Sequence, residues 1–203
     1  MKQRYALILN HQIFFANIFQ KIFPAHGAST ENPSCAGMEQ RRMTVYTPAG
    51  YADSNKLYPT LYIMHGIGGD EDAWIDSGCL PQVLDNLIAA GKAEPMVVVV
   101  TNSNMKAQAV PGNYAGSRKR PQLMNPGNMD GAFETAFPDI VKFIESHCHV
   151  QADKAHRALA GLSMGGFHTV HISANYPDLF DYVCPLSAAL NDHSDTKTER
   201  GYI

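Results

Sequence analysis

Short apolar runs alternate with longer amphipathic segments from about Met38 onward. One run, at 96–100, is apolar at every position, as a central parallel strand covered on both faces requires. The pattern predicts strands at 42–47, 60–65, 96–100, 156–160 and 182–186. Strands that alternate with helical segments are typical of an α/β fold, in which a mostly parallel sheet is flanked by crossover helices.

Three segments have apolar residues at helical spacing. The stripe in 80–90 is followed by Gly91, which occupies the expected C-cap position. Apolar residues from Phe137 to Ile144 mark a second helix, in which we expect Pro138 to lie in the first turn. A third helix is predicted from about Met164 to Asn175. By contrast, 103–128 is polar and rich in Gly, Pro and Asn, which predicts a long irregular loop.

The first 37 residues do not fit this pattern. Lys2 and Arg4 precede an apolar run that begins like a secretory signal, but the polar residues 10–12 interrupt it. A signal peptide needs roughly 7–15 uninterrupted apolar residues, and a membrane span needs more. We therefore expect an atypical lead-in at 1–37 (a degraded signal, a linker or a short amphipathic segment). An α/β domain at 38–190 and a polar tail at 191–203 complete the predicted organisation.

Composition and charge exclude several classes of protein. A chain of 203 residues that is 45% hydrophobic and 17% charged fits one ordinary globular domain. The formal net charge of -3 argues against a nucleic-acid binder, and we expect the short basic cluster at 118–120 to be a solvated loop. The four cysteines form no C-x-x-C pair, so we predict buried free thiols, with one disulfide as the alternative in an exported protein.

The segment GLSMG at 161–165 matches G-x-S-x-G and lies between a predicted strand and a predicted helix. Such a serine sits on a sharp, strained turn that raises its Oγ above the sheet, and the flanking glycines prevent clashes. The helix N-terminus adds backbone N–H groups beneath a developing oxyanion. We predict that Ser163 is a nucleophile. The alternative is a glycine-rich turn that contains an incidental serine.

A second glycine-rich segment, HGIGGD at 65–70, directly follows a predicted strand. Its glycines allow a backbone N–H to approach a substrate carbonyl oxygen. We predict that Ile67 and Met164 donate the two N–H groups of an oxyanion hole. The segment has neither the G-K-[ST] nor the G-x-G-x-x-G spacing, which argues against a phosphate site. His65 is expected to brace this loop by hydrogen bonding rather than to act as a base.

A serine nucleophile needs a histidine base and a carboxylate that orients it, and on this fold both follow the serine on separate loops. His168 and His171 lie in the predicted helix after Ser163, so we expect them to be core or surface residues. His193 lies beside an aspartate in the polar tail and is a poor candidate. Asp178 and Asp181 look like turn residues. We therefore expect the catalytic acid and base to be absent from this chain.

Four segments together resemble the putative-esterase family: 41–51, 58–66, 70–74 and 158–167. That family includes bacterial feruloyl esterases and acetyl xylan esterases of the carbohydrate-esterase type, with esterase D and enterochelin esterase as relatives. The resemblance spans 38–190 and implies an α/β-hydrolase fold, an acyl-enzyme mechanism without cofactor or metal, and a nucleophile and oxyanion hole at the residues named above. It also implies export and acetyl or feruloyl ester substrates on plant cell-wall polysaccharide. Trp74 is expected either beside the substrate pocket or in packing.

The chain departs from the family at both ends. Members typically continue well beyond the strand at 182–186 and there carry the acid and the histidine. We therefore expect a domain truncated after its nucleophile half, nearly inactive, and poorly folded at the unpaired edge of its last strand. Two alternatives remain: a non-catalytic carbohydrate-binding relative, and an acyltransferase of the mycolyltransferase type.

Overall fold

The computed structural model describes residues 2–9, 12–24, 40–104, 129 and 131–190, with side chains from Met43 onward. Seven strands form one sheet in the order β1-β2-β3-β5-β4-β6-β7. They are β1 Lys2–Leu9, β2 Gln12–Pro24, β3 Gln40–Thr47, β4 Thr60–Met64, β5 Val97–Thr101, β6 Arg157–Leu162 and β7 Tyr182–Leu186. Strands β5, β4, β6 and β7 are mutually parallel, which confirms the predicted α/β architecture.

Strands β1 and β2 lie inside the lead-in, where the sequence pattern predicted no strand. They pair antiparallel with each other, and β2 pairs antiparallel with β3. The register places Leu9 opposite Gln12, so the two apolar runs belong to two separate strands rather than to one apolar segment. The expectation of a linker or a short amphipathic segment therefore needs correction over 2–9 and 12–24, where the backbone extends the sheet.

In the described part of the chain, four helices pack against the sheet: α1 Ala73–Asp76, α2 Leu80–Ala89, α3 Ala132–His147 and α4 Met164–Asn175. α2 and α4 agree with the predicted helices to within one residue. In α3 the prediction was wrong, because the helix begins six residues before Pro138. Ala132, Phe133 and Phe137 are buried on the core-facing side, and their burial outweighs the one hydrogen bond that proline cannot donate. None of the described helices is long and apolar enough to cross a membrane.

The core has two parts, one on each face of the sheet. Val97 and Val99 of β5 pack into the cluster that contains the α3 residues, whereas Val98 and Val100 pack into the cluster that contains Ile75 and Leu80. Successive side chains of a strand point to opposite faces, so a strand covered on both faces must be apolar throughout. This confirms the interpretation of β5 as a central strand.

The cysteines only partly match the prediction of buried free thiols. Cys79, Cys148 and Cys184 are free, but only Cys148 is buried. Cys79 directly precedes α2, and Cys184 lies on β7, which is exposed along its length; neither position provides a second layer of packing. Cys35 and almost all of the predicted loop at 103–128 lie outside the described residues.

Candidate active site

Ser163 occupies the junction between β6 and α4 with φ 56° and ψ -111°. This conformation is rare for a residue with a side chain and costs about 1–3 kcal/mol, so the surrounding structure must impose it. Three backbone hydrogen bonds do so. The Ser163 N–H donates to the Leu186 carbonyl at 2.9 Å, and its own carbonyl accepts from the N–H of Phe167 at 3.0 Å and of Ala189 at 3.1 Å.

The glycines of the G-x-S-x-G segment are required by close backbone approaches. A Cβ on Gly165 would lie 2.6 Å from the Met64 carbonyl oxygen, and one on Gly161 would overlap the Gly165 carbonyl. A Cβ on Gly166 would lie 2.7 Å from the Cα of Ala188. All of these neighbours are backbone atoms that cannot move independently. The glycines therefore let α4 start directly against the ends of β4 and β6.

The structure brings Ser163 to the glycine-rich loop after β4. Its side chain is partly exposed, and a Cβ built on Gly66 would lie 3.6 Å from the Ser163 Cβ. Met164, whose N–H begins α4 and therefore has no intrahelical acceptor, lies on one side of the serine. Ile67 follows Gly66 on the other side, and none of the described residues accepts a hydrogen bond from its N–H. The predicted nucleophile and both predicted N–H donors are thus adjacent.

Polar side chains from the segment just after β5, and one from β3, hold this loop by hydrogen bonds. Asn104 donates through Nδ2 to the Gly69 carbonyl at 2.7 Å, and Asn102 donates through Nδ2 to Oε2 of the buried Glu71 at 2.7 Å. Thr44 of β3 donates to Asp72 Oδ1 at 2.7 Å. Sequence reasoning missed these residues. The available signal was that polar side chains follow the carboxyl end of a parallel strand, where loops from neighbouring strands converge.

His65 is buried, and both of its ring nitrogens have partners. Nδ1 lies 2.7 Å from the Gly66 carbonyl oxygen, and Nε2 lies 3.2 Å from the backbone nitrogen of Ser103. A histidine engaged in this way cannot take a proton from Ser163. This confirms that His65 braces the loop by hydrogen bonding.

A cavity of about 390 Å³ opens beside the loop. Trp74 contributes to its wall, and its Nε1 donates to the Met64 carbonyl at 3.1 Å, which fixes the indole in place. Trp74 therefore lines this cavity and packs against the core, and its place in a substrate pocket stays a prediction. The lining residues are His65, Gly66, Ile67, Gly68, Gly69, Ala73, Trp74, Ser77, Gly78 and Leu162. Ile67 and Leu162, which flank Ser163, line the cavity and are half-exposed.

The other predicted candidates lie elsewhere. His168 is fully buried and its Nδ1 lies 2.6 Å from Glu134 Oε1 of α3, while His171 packs on Phe167. Both are therefore structural, as expected for residues within α4. Asp181 forms an ion pair with Lys154 at 3.1 Å in the connection before β7. His193 lies outside the described residues.

No described side chain supplies a base or a metal ligand set at Ser163. Within 43–104 and 131–190, no histidine hydrogen-bonds the Ser163 hydroxyl. Over the same part of the chain, no three His, Cys, Asp or Glu side chains are grouped so that they could hold a metal ion. The described site therefore consists of a strained serine, two neighbouring backbone N–H groups and a mainly apolar cavity.

A strained serine on a strand-to-helix turn, in a sheet of this order, defines an α/β-hydrolase, and comparisons with known proteins agree. The sequence model for putative esterases matches residues 36–196, so the chain belongs to the putative esterase family. It is 32% identical over 145 residues to an endo-1,4-beta-xylanase/feruloyl esterase of Xylanibacter ruminicola. It is 30% identical over 148 residues to endo-1,4-beta-xylanase Y of Acetivibrio thermocellus.

These matches cover 68% and 72% of the chain but only 18% and 13% of the two relatives. Among solved structures, a ferulic acid esterase superposes with a TM-score of 0.63 at 26% identity, over 85% of the chain and 58% of that protein. A CE1 ferulic acid esterase from Anaeromyces mucronatus gives a TM-score of 0.67 at 22% identity, over 95% and 71%. The second likeness supports the fold alone. The chain thus spans a small part of the curated relatives that it matches.

Proposed function

We propose that this chain carries the nucleophile and oxyanion hole of a serine carboxylic-ester hydrolase. The Ser163 Oγ attacks the ester carbonyl carbon and gives its proton to a general base. The carbonyl oxygen becomes anionic and accepts hydrogen bonds from the Ile67 and Met164 amides. Collapse of this intermediate breaks the bond to the alcohol, which leaves with the proton and leaves an acyl-serine that water hydrolyses. The observation that carries the proposal is the strained Ser163 directly beside Gly66.

We further propose that the general base comes from outside the described residues. The chain has nine histidines, and the described ones at 65, 147, 149, 156, 168 and 171 are not hydrogen-bonded to the nucleophile. His11, His26 and His193 are the others. Since the base and its carboxylate supply most of the rate in a serine hydrolase, the described residues by themselves should activate Ser163 only weakly.

The cavity favours a feruloyl over an acetyl group as the acyl part of the substrate. Its volume of about 390 Å³ is large enough for an aromatic acid, whereas an acetyl methyl group would leave it largely unfilled. The indole of Trp74 and the Ile67 side chain offer apolar surface against an aromatic ring. The names of two relatives, which include xylanase and feruloyl esterase, suggest a polysaccharide-linked ester. Such a polymer lies outside the cell, so we also propose export.

A fluorophosphonate probe tests the nucleophile, with labelling followed by intact-mass spectrometry. We expect labelling of one site in the wild-type chain and none in Ser163→Ala. Labelling that survives in Ser163→Ala contradicts the proposal. A variant in which His11, His26 and His193 are all glutamine tests whether the general base is one of these three residues. Rapid, stoichiometric labelling in that variant would show that a described residue activates the serine.

The acyl preference is tested with p-nitrophenyl esters, which share one leaving group. We expect kcat/KM to be higher for the feruloyl ester than for the acetyl ester, and Trp74→Ala to reduce this ratio. Gln82→Ala, on α2 and outside the cavity wall, serves as the matched control. A higher kcat/KM for the acetyl ester, unchanged by Trp74→Ala, would overturn the assignment of the cavity.

A further inference from the structure

The peptide between Gly66 and Ile67 has a hydrogen-bonded end and an open end. Its carbonyl accepts from His65 Nδ1 at 2.7 Å and from the Gly69 N–H at 3.1 Å. In a trans peptide the N–H points opposite to the carbonyl, so the Ile67 N–H is directed away from both donors. This is the amide assigned above to the oxyanion. Whatever holds the Gly66 carbonyl therefore also aims the Ile67 N–H.

We propose that His65, held in one tautomer by the backbone of Ser103, is a positioning residue for the oxyanion hole. This inference rests on the proposed function of Ser163. The backbone N–H of Ser103 can only donate, and it lies 3.2 Å from His65 Nε2. Nε2 must therefore accept, so the ring proton lies on Nδ1 and is donated to the Gly66 carbonyl. The Ser103 hydroxyl, 3.3 Å from the same nitrogen, can add a second donor.

Burial makes this arrangement selective. His65 is 1% exposed and Ser103 is fully buried, so water cannot replace a lost partner. In the other tautomer, Nε2–H could donate only to the Ser103 hydroxyl, the Ser103 N–H would lose its acceptor, and an unprotonated Nδ1 would face the Gly66 carbonyl. Each of these contacts would leave buried polar groups unsatisfied, at the full cost of their desolvation. The wrong tautomer is thus excluded by the fold.

The same bonds prevent the Gly66–Ile67 peptide from rotating. Rotation that turned the Ile67 N–H away from Ser163 would also remove the acceptor of both His65 Nδ1–H and the Gly69 N–H. Glycines on either side of Ile67, one with φ 79° at Gly68, would otherwise leave this loop free to rearrange. A hydrogen bond at the carbonyl end also polarises the peptide and strengthens its N–H as a donor. His65 therefore contributes to an amide that is fixed before the substrate binds.

Two measurements test the inference. The first is the tautomer of His65, from two-bond ¹H–¹⁵N correlations of the wild-type chain. The second is phosphonylation of Ser163 by an aryl fluorophosphonate, from which the maximal rate, kinact, and the half-saturating concentration, KI, are obtained separately. The variants are His65→Leu, which removes the donor, and His65→Asn, whose amide can donate near the position of Nδ1. The control is Thr44→Val, which removes a different brace of the same loop at Asp72.

We expect the proton on Nδ1. We also expect kinact to fall about 10-fold to 100-fold in His65→Leu with KI unchanged, less than the loss from deleting an oxyanion donor. His65→Asn should recover part of this loss, and Thr44→Val, whose hydrogen bond lies at the other end of the loop from Ile67, should lose much less than His65→Leu. A proton on Nε2, or equal values of kinact in His65→Leu and Thr44→Val, overturns the inference. If the wild-type Ser163 does not react at all, the proposed function fails. The tautomer of His65 then still shows whether Nδ1–H donates to the Gly66 carbonyl as inferred.

Discussion

At the scale of single residues, the site depends on backbone conformations that most side chains avoid. Ser163 has φ 56°, where a residue with a Cβ is strained. Glycines occupy the neighbouring positions at which a Cβ would overlap backbone atoms. The strain is compensated by packing of α4 against the strand ends. A strained residue at a candidate nucleophile is an observation from which function is inferred, because folding alone would favour a relaxed residue there.

Because of this strain, two variants that both lack the serine hydroxyl should differ in their free energy of unfolding. Ser163→Gly should be more stable than Ser163→Ala by about 1 kcal/mol, because glycine relieves the positive φ at some cost in chain entropy. Urea unfolding of both variants measures the difference. Gly91→Ala, at φ 67° with open space around it, provides the reverse control and should lose about 1 kcal/mol. Equal stability of the two Ser163 variants would show that the residue is not strained.

The residues readable from the sequence are those whose role follows from local geometry. Ser163 and Ile67 are predicted because their glycine-rich neighbours encode a turn. Asn102 and Asn104 are not predicted, since their partners are selected only when β5 pairs with β4 and brings the two loops together. Local pattern therefore predicts the candidate reacting groups and the brace at His65, whereas the asparagine partners of the loop depend on the tertiary structure.

At the scale of elements, one buried side-chain hydrogen bond joins α2 to the antiparallel strand β3. The Tyr46 hydroxyl of β3 donates to Asp85 Oδ1 of α2 at 2.7 Å. Burial raises the pKa of the Asp85 carboxyl, and the hydrogen bond from Tyr46 offsets part of that rise. The folded protein thus holds the Asp85 proton to a higher pH than the unfolded chain does.

The sign of the resulting pH dependence follows from linkage. A carboxyl whose pKa is raised by folding stabilises the protein below its unfolded pKa of 3.8, and this contribution is lost as pH rises through the folded value. Asp85→Asn keeps an acceptor for Tyr46 without the charge. It should therefore unfold with a higher free energy than the wild type at pH 7, and the gap should close toward pH 4, as followed by urea titrations.

Tyr46→Phe removes the donor of the same hydrogen bond. It leaves a buried carboxylate without its donor and should cost about 1–3 kcal/mol at pH 7. A wild-type advantage over Asp85→Asn that grows as pH rises would contradict the assignment of the shift to burial.

The elements themselves are largely predictable. Strands β4 to β7 and helices α2 and α4 follow from periodicity because each has one or two buried faces. β1 and β2 were missed because their short apolar runs, read as one segment, look like an interrupted signal. The two-residue period of a hairpin is a weak pattern when both strands contain polar residues. The start of α3 was misplaced because Pro138 was given more weight than the buried residues before it.

At the scale of the whole molecule, β7 is the last strand at one end of the described sheet. β7 pairs with β6 on one side, and no described strand pairs with its other side. Tyr182, Val183 and Leu186 are 62%, 41% and 39% exposed along it. Among the described strands, β7 therefore forms one edge of the sheet with exposed apolar side chains. It lies directly beside the site, since the Leu186 carbonyl accepts the hydrogen bond from the Ser163 N–H.

An edge of this kind should drive association of the chain. Unpaired backbone groups flanked by apolar side chains offer a second copy both hydrogen bonds and burial, and lysine on an edge strand opposes that pairing. We expect the wild type to associate as its concentration rises in sedimentation velocity, and Val183→Lys to shift this association to higher concentration. Val83→Lys, on α2 at a comparable 49% exposure, adds the same charge away from the edge and should leave it unchanged. Equal effects of the two lysines would mean that net charge, rather than β7, controls association.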